Sequence, residues 1–297
     1  MPPILVCGHT NLETTLRIDG FPLNYTPVRY AFDAISSTAA GVGFNVAKAL
    51  HTLGNEVRLA SIVGPDVAGA RIRAAAVTAG LDASGIVDAT DATAQSVILY
   101  DGAGRRQIHT DLKQVQDAHY PRDRFTRSMQ GCRAAALCNI NYSRPLLAPA
   151  KEAGLLIATD VHTISELDDA YNADFMAAAH ILFMSGERLP VPPEAWADAV
   201  MARYAPHILV IGLGGNGALL ATEEEIVRTP AVAPASVVST VGAGDALFSC
   251  FLHAYLAGYA PREALRRAVL FAGRKICAPA ASDGFLTADE LERSARI

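Results

Sequence analysis

The sequence has few cysteines, no run of basic residues and no long apolar segment. Its five cysteines among 297 residues are scattered without a C-x-x-C pair, so neither a disulfide framework nor a cysteine-based zinc site is expected. A net charge of −5 without a Lys/Arg cluster argues against nucleic acid or an anionic membrane as a partner. No apolar run approaches the ~20 residues of a membrane span. The first residues also lack the basic region of a signal peptide, so a cytoplasmic protein with reduced thiols is expected.

Short apolar runs alternate with segments of helical periodicity along the whole chain. The runs that predict buried strands are 4–7, 57–63, 134–137, 155–159, 181–184 and 208–211, and the segments that predict helices are 42–53, 68–79, 144–153, 193–204, 245–257 and 262–277. This alternation is typical of helices that cover a parallel sheet. The sequence therefore predicts one doubly wound α/β domain over residues 1–297, with a mostly parallel sheet flanked by helices.

Two segments depart from this alternation and predict a small projecting β-sheet. Residues 16–37 carry aromatic and β-branched residues without a helical period. Residues 95–109 read as a hairpin with its turn at 101–104, where Asp-Gly-Ala-Gly favours chain reversal. Such a sheet is expected to act as a lid over a site or as the contact of a homodimer.

The segment 237–248 contains the clearest chemical motif. Gly242, Ala243 and Gly244 precede a predicted helix, and glycines at a helix start allow successive N–H groups to face an anion. Asp245 would lie at the mouth of that site, where a carboxylate can take a proton from a hydroxyl nucleophile. An aspartate after a glycine turn is also a common helix cap. Local chemistry leaves both interpretations open.

The segment 212–217 fits G-x-G-x-x-G, the dinucleotide-binding fingerprint. That fingerprint requires a helix next and an acidic residue about twenty positions later. Here a short apolar run meets three glutamates at 223–225, and position 237 is a valine. We therefore predict a turn between two strands, and an NAD-dependent oxidoreductase is disfavoured.

The segment 239–245, Ser-Thr-Val-Gly-Ala-Gly-Asp, resembles the signature D-T-x-G-A-G-D of the ribokinase-like (PfkB) carbohydrate and nucleoside kinases. The resemblance implies that Asp245 is the catalytic base and that Gly242, Ala243 and Gly244 form an anion hole. It also implies that Thr240 lies at the nucleotide. Ser239 stands where the signature usually begins with aspartate.

The segment 40–47 resembles the family's G-G-x-G-x-N-x-A, with Ala40 in place of one glycine. The resemblance implies that Gly41 and Gly43 let the backbone approach the substrate and that Asn45 bonds its hydroxyls. Without the other segments, a tight turn with a cap would explain these residues equally well. Relatives that act on phosphorylated sugars commonly carry lysine between these glycines. Val42 stands there, which favours a neutral acceptor.

The segment 8–13 resembles the strand end that supplies an asparagine and an aspartate to the sugar in this family. Asn11 and Glu13 are the matching residues, with glutamate in place of aspartate. The run Gly-His-Thr at 8–10 also resembles some nucleoside kinases. Asn141 and Asp160 follow predicted strands, and ligands of α/β proteins bind at strand carboxyl ends. Asn141 is a further candidate substrate contact.

The resemblance extends to the cofactor side of the site. The turn at 212–217 is similar to the family's T-L-G-x-x-G, which implies that Gly214 and Gly217 lie against nucleotide phosphates, although Gly212 replaces the threonine. Relatives often carry N-x-x-E to organise magnesium. Glu187 matches that glutamate while Met184 replaces the asparagine, so a solvated helix start is the alternative. The implied cofactors are ATP and Mg²⁺, with a monovalent cation as a further candidate.

These observations predict an ATP-dependent kinase that phosphorylates a hydroxyl of a small neutral sugar or nucleoside. Catalysis would rest on positioning and on electrostatic stabilisation of the moving phosphoryl group. The family departures at the signature motifs keep two alternatives open: a catalytically silent sugar- or nucleotide-binding regulator on the same fold, and a sugar-phosphate kinase.

Overall fold

A computed structural model describes residues 2–233 and 236–296. The strands in these ranges are β1 Ile4–Cys7, β2 Asn11–Arg17, β3 Ile35–Ala40, β4 Val57–Val63, β5 Ile86–Asp88, β6 Gln95–Tyr100, β7 Arg106–Asp111, β8 Ala134–Leu137, β9 Leu156–Thr163, β10 Ile181–Ser185, β11 Ile208–Gly212, β12 Ala218–Ala221 and β13 Ile226–Thr229. The helices are α1 Val42–Thr52, α2 Val67–Thr78, α3 Arg122–Met129, α4 Leu147–Glu152, α5 Ala173–Ala178, α6 Pro193–Tyr204, α7 Ala243–Leu256, α8 Pro261–Lys275 and α9 Ala288–Ala295.

Nine of these strands form one large sheet in the order β13-β12-β11-β10-β9-β8-β1-β4-β5. The seven neighbouring strands β11, β10, β9, β8, β1, β4 and β5 pair in parallel. Strands β12 and β13 extend the sheet beside β11, and both pair antiparallel. From β1 the chain builds outward through β4 and β5, then returns to β8 and builds the other half. The prediction of a doubly wound, mostly parallel sheet is confirmed. Ligands in such folds bind outside the strand carboxyl ends where this reversal occurs, here between β1 and β8.

Both faces of the large sheet are buried, which explains the continuous apolar runs of its strands. In β1, Ile4 and Val6 pack into the core that α1, α7 and α8 cover, whereas Leu5 and Cys7 pack into the core on the other face. Successive side chains of a strand point to opposite faces, so each strand supplies both cores. Among the described helices, none is long and apolar enough to cross a membrane.

The small sheet has the order β3-β2-β6-β7, with β2 and β6 parallel and the outer pairs antiparallel. The hairpin predicted at 95–109 is confirmed as β6 and β7, joined through residues 101–105. The prediction that residues 16–37 form part of this sheet is wrong for most of its length. The strands are Asn11–Arg17 and Ile35–Ala40, and the segment between them is an exposed connection.

The helix predicted at 144–153 is also shorter than expected. Residues Asn141–Leu146 form a 3₁₀ segment and the α-helix covers only Leu147–Glu152. Pro145 lies inside the 3₁₀ segment, and a proline removes a backbone donor and crowds the preceding turn. The proline ring of Pro145 and its missing N–H account for the tighter 3₁₀ geometry of this segment.

Candidate active site

The first turn of α7 is built on Gly242, the residue that caps the helix with a φ of 79°. A Cβ there would lie 2.3 Å from the carbonyl oxygen of Ala281, so both conformation and space require glycine. The N–H groups of the first helical turn have no intrahelical acceptors and carry partial positive charge, which suits an anion. The amide of Ala243 already donates to the Thr240 carbonyl at 3.3 Å. Gly242 and Gly244 are therefore the better placed donors of the predicted anion hole.

Asp245 is the third residue of α7, and its side chain is bonded across the site rather than to its own helix. Its Oδ2 accepts a hydrogen bond from Nδ2 of Asn45 at 2.7 Å, and α7 has no side-chain cap. Because Gly242 occupies the capping position, the structure argues against the capping interpretation of Asp245. Burial raises the pKa of Asp245, while the Asn45 hydrogen bond opposes that shift. A carboxylate whose pKa is raised toward neutrality is a more effective general base.

The glycines of segment 40–47 bring α1 close to the carboxyl end of β1. Gly41 has a φ of 94°, and a Cβ on Gly43 would lie 2.4 Å from the carbonyl carbon and oxygen of Gly8. The Gly43 amide donates to the His9 carbonyl at 2.8 Å. The close approach that these glycines allow is therefore between the start of α1 and the backbone that follows β1. Its consequence is that Asn45, on the first turn of α1, reaches Asp245.

Strand β2 carries the two other predicted substrate contacts on the same face of the small sheet. Asn11 donates from Nδ2 to Ser96 Oγ at 2.8 Å, and the Ala281 backbone is close enough to Glu13 to oppose the rise of its pKa. Since the Ala281 carbonyl packs on Gly242, Glu13 lies next to the α7 loop. Burial, and then the charge of Asp245, raises the pKa of Glu13 to about 7.

Several buried polar atoms in this region have no hydrogen-bond partner among the described residues. They are both ring nitrogens of His9, Oδ1 of Asn11, Oε1 of Glu13 and Oδ1 of Asn45. Buried polar atoms in proteins are nearly always paired, so unpaired atoms on neighbouring segments indicate a place for polar groups of a ligand. In the sequence His9 stood out only as part of the Gly-His-Thr run at 8–10. Its unsatisfied ring could not be foreseen from the residue type.

The raised pKa of Glu13 predicts a pH dependence of stability. The native state holds the Glu13 proton more tightly than the unfolded chain, so stability from this residue is present below pH 4.5 and is lost as pH rises through about 7. At ~1.4 kcal/mol per pKa unit the loss is about 3 kcal/mol. Glu13→Gln should therefore keep more of its thermal stability than the wild type between pH 5 and 8 in melting experiments. Glu152→Gln, at an exposed position of α4, should follow the wild type. Parallel wild-type and Glu13→Gln curves would contradict the assignment.

Asn141 and Asp160 lie at neighbouring strand ends but have different surroundings. Asn141 donates to the carbonyl of Gln116 at 3.0 Å, and the structure shows no bond between it and the Asn45–Asp245 pair. Asp160 accepts from the amide of His162 at 2.8 Å, and the charge of Asp160 raises the pKa of Asp245. Asp160 therefore influences the predicted base Asp245, whereas the hydrogen bond of Asn141 is directed to Gln116.

The 212–217 segment is a turn between two antiparallel strands, as predicted. Strand β11 ends at Gly212, a single 3₁₀ turn covers Gly214–Asn216, and β12 returns beside β11. Gly217 has a φ of 89°, and a Cβ there would lie 2.0 Å from the Thr229 carbonyl. No helix follows this turn, so it lacks the local structure of a dinucleotide-binding fingerprint. Gly214 and Gly217 lie at the carboxyl end of β11, on the side expected for nucleotide phosphates.

Glu187 lies at the carboxyl end of β10, in the 3₁₀ turn Gly186–Arg188. Its side chain is exposed and its amide donates to Ser185 Oγ at 3.3 Å. In the described part of the chain no group of three or more His, Cys, Asp and Glu side chains could hold a metal ion. Mg²⁺ at phosphoryl-transfer sites is usually held by one or two carboxylates together with substrate phosphates. A single exposed carboxylate at this edge fits such a role.

Two cations near the α7 loop were missed as site residues of this loop. Arg106 of β7 donates to Thr240 Oγ1, so the small sheet reaches the signature segment. Lys275 is completely buried at the end of α8, and its ammonium donates to the Val241 carbonyl. Helical spacing from buried Ala268 and Phe271 places position 275 on the buried face. That spacing was available in the sequence, whereas the carbonyl it meets was not.

Known proteins with this architecture match the chain over nearly its whole length. The model of the pfkB family carbohydrate kinases matches residues 1–288. An acarbose 7(IV)-phosphotransferase from Actinoplanes sp. is 29% identical over 98% of both chains, and a 1-phosphofructokinase from Haloferax volcanii is 29% identical over 92% of this chain and 90% of its own. Among solved structures, a microbiome-derived acarbose kinase superposes with a TM-score of 0.91 at 23% identity over the full length of both chains. A ribokinase from Arabidopsis thaliana gives 0.80 at 18% identity, over 100% of this chain and 99% of its own.

The fold is therefore ribokinase-like and the protein is a phosphotransferase with an alcohol group as acceptor. The chain belongs to the pfkB family of carbohydrate kinases. It is a sugar or nucleoside kinase, and its family implies the use of ATP.

Proposed function

We propose that this kinase transfers the γ-phosphoryl group of ATP to a hydroxyl of a neutral sugar or nucleoside, with Asp245 as general base. The single observation that carries the proposal is the buried contact between Asp245 and Asn45, at 2.7 Å. It joins two motifs that lie 200 positions apart in the sequence. Around it lie the unpaired atoms of Asn11 and Glu13, which are suited to hydroxyl groups.

In this reaction the acceptor hydroxyl loses its proton to Asp245 as its oxygen bonds to the γ-phosphorus. The bond from that phosphorus to the bridging oxygen breaks, and ADP leaves. The Gly242 and Gly244 amides face the charge on the phosphoryl oxygens, where fixed donors are effective because they need no reorganisation. Asn45 keeps the Asp245 carboxylate directed toward the acceptor. The small sheet, which carries Asn11 and Glu13, covers the substrate and limits the access of water as a competing acceptor.

ATP would lie against the turn that contains Gly214 and Gly217, with Thr240 beside its phosphates. Glu187 would help to hold Mg²⁺, which would offset the negative charge of those phosphates. We expect calorimetric titration to show binding of ATP or ADP that depends on magnesium, and no measurable binding of NAD. The physical reason is that β12, rather than a helix, follows the 212–217 turn. Tight NAD binding would mean that this turn has been misassigned.

The charges around the acceptor site favour a neutral substrate. The charge of Asp245 acts on Glu13, and the charge of Asp160 acts on Asp245, so three carboxyl groups surround this site. Val42 is half-buried and packs against the main core, so it brings no cation. A sugar phosphate placed here would meet carboxylates and few unengaged positive groups.

A sugar-phosphate acceptor is the second candidate because of one contact, that of Arg106 with Thr240 Oγ1. An arginine that reaches this segment could instead pair with a substrate phosphate. The names of the relatives divide in the same way: they include acarbose phosphotransferase and nucleoside kinase as well as ribose-1-phosphate kinase. Arg105 is less available, since it is paired with Asp101 at 2.8 Å.

The deciding experiment is a substrate panel with ATP and Mg²⁺ in which the release of ADP is measured. The panel should contain free sugars, acarbose, nucleosides and sugar monophosphates. Turnover of a neutral sugar or nucleoside supports the proposal. Release of ADP with none of the panel, while ATP still binds, would favour the catalytically silent regulator.

The small sheet is also the proposed contact of a homodimer. Strand β7 is exposed along its whole length and forms one edge of that sheet. Unpaired edge strands present backbone donors and acceptors to another chain. Light scattering after size-exclusion chromatography should give twice the chain mass, whereas the mass of one chain would contradict the proposal.

A further inference from the structure

Lys275 carries a positive charge into the interior of the protein. It is the last residue of α8, and its side chain has no exposed surface. Burial lowers the pKa of Lys275 to about 8, while the charges of Asp245, Glu13 and Asp283 raise it and that of Arg106 lowers it. The ammonium therefore remains mostly protonated at neutral pH. A buried charge is costly unless it is paired or bonded, so its position calls for a physical explanation.

The hydrogen-bond partner of the Lys275 ammonium is a backbone carbonyl in the loop that precedes α7. Nζ of Lys275 donates to the carbonyl oxygen of Val241. In a planar trans peptide the C=O of one residue and the N–H of the next point in opposite directions. Fixing the Val241 carbonyl therefore fixes the direction of the Gly242 amide, which is one of the two proposed donors to the phosphoryl group.

The segment before Gly242 is held to the end of α8 by its backbone as well. The amides of Val238 and Ser239 both donate to the Ile276 carbonyl, at 2.9 and 3.1 Å. This pairing keeps Lys275 beside the signature segment. Ser239 stands where the family signature has an aspartate, so residue 239 offers a cation in this place no carboxylate. The ammonium of Lys275 does not need that carboxylate to stay in place, because it is covalently attached to the chain.

We propose that Lys275 is a built-in cation that orients the Val241–Gly242 peptide for phosphoryl transfer and makes catalysis independent of monovalent metal ions. It is a positioning residue, because it acts through the Gly242 amide and through the charge balance of Asp245 and Glu13. The proposal rests on the proposed function. It assigns to a side chain the role considered above for a dissociable monovalent cation.

The first test measures wild-type turnover in potassium, sodium, ammonium and tetramethylammonium chlorides at constant ionic strength. We expect rates that agree within twofold, because the Val241 carbonyl already has a positively charged partner in Lys275. Activation of the wild type by potassium of tenfold or more would overturn the proposal.

The second test removes the ammonium and offers it back. Lys275→Ala should lower kcat at least tenfold in tetramethylammonium chloride and should regain activity in ammonium or potassium chloride, which can enter the vacated space. Lys275→Met fills that space without a charge, so it should lose activity without rescue. Lys151→Ala, at an exposed position of α4, should behave as the wild type. Equal activity of Lys275→Met and wild type would contradict the role.

Thermal melts separate this proposal from the proposed function. Ammonium or potassium should raise the Tm of Lys275→Ala relative to tetramethylammonium, because a ligand that binds only the native state stabilises it. The wild type and Lys275→Met should not respond. This readout needs no substrate, so an inactive panel would reject the acceptor proposal and leave the cation test standing. If Lys275→Ala does not fold, cation-independent activity and melting of the wild type, with loss of activity in Lys275→Met, still decide the question.

Discussion

Replacing Asp245 with asparagine is expected to lower kcat by at least a hundredfold and to leave ATP affinity nearly unchanged. Asparagine preserves the size of the side chain and can still bond to Asn45, but it cannot accept the proton of the acceptor hydroxyl. General-base contributions are typically ~10²–10⁴-fold. In the proposed function ATP would bind through the 212–217 turn and the N-terminus of α7, so its affinity should not follow the loss of turnover. Steady-state rates and calorimetric titration with ATP measure the two quantities separately.

A matched control is available at another helix start. Asp123 lies in the first turn of α3, where it is exposed and paired with Arg127. Asp123→Asn should keep wild-type turnover within twofold, which excludes a general effect of removing a carboxylate from a helix N-terminus. Melting curves establish that both variants fold. An Asp245→Asn variant with a tenth of wild-type turnover would remove Asp245 from the mechanism.

The large sheet was predictable because its strands are short, apolar and buried on both faces. Strand β4 and helix α6 have the bounds that the sequence predicted. The turn after β11 was predictable because three glutamates interrupt the apolar run before a helix can form. These elements are decided by local pattern, so distant parts of the chain did not override them.

The strands of the small sheet are harder to predict because the aromatic residues of segment 16–37 favour a strand that does not form there. Tyr25, Tyr30 and Phe32 are 91%, 82% and 82% exposed and lie in a connection. The strand lies earlier, where buried and half-buried positions alternate from residue 11 to residue 16 although most of the residues are polar. Propensity for strands reflects packing on a half-buried surface, and these aromatic residues have no such surface in the chain.

Several residues that the structure brings together were named from their sequence motifs, but their contacts were not. Asp245 and Asn45 were both identified from their motifs, yet only the packing of α1 against α7 shows that they bond. Lys275 was missed because a lysine near a helix end is usually solvated. Recognising its role requires three segments to be placed together: the end of α8, the residues before Gly242, and β2 with Glu13. Sequence periodicity gives the buried face of α8 but not what that face meets.

The best neutral acceptor is expected to exceed any sugar monophosphate in kcat/KM by at least a hundredfold. A sugar phosphate carries nearly two negative charges, and removing them from water without a partner costs several kcal/mol. The neighbouring carboxylate of Glu13 would add repulsion, whereas hydroxyl groups can donate hydrogen bonds to the unpaired oxygens of Asn11, Glu13 and Asn45. A hundredfold ratio corresponds to about 2.7 kcal/mol of differential transition-state binding. Matched pairs such as fructose and fructose 6-phosphate measure it directly.

Two variants show whether charge causes this discrimination. Glu13→Gln removes the nearest carboxylate of β2 and should reduce the ratio, since the phosphate then meets less repulsion while the neutral substrate loses a hydrogen-bond acceptor. Arg106→Ala should leave the preference for the neutral substrate in place. If fructose 6-phosphate or fructose 1-phosphate is the best substrate of the wild type, the neutral-acceptor proposal is wrong. A selective loss of that activity in Arg106→Ala would then identify the arginine from the small sheet as the partner of the substrate phosphate, because its guanidinium already reaches Thr240 at the loop before α7.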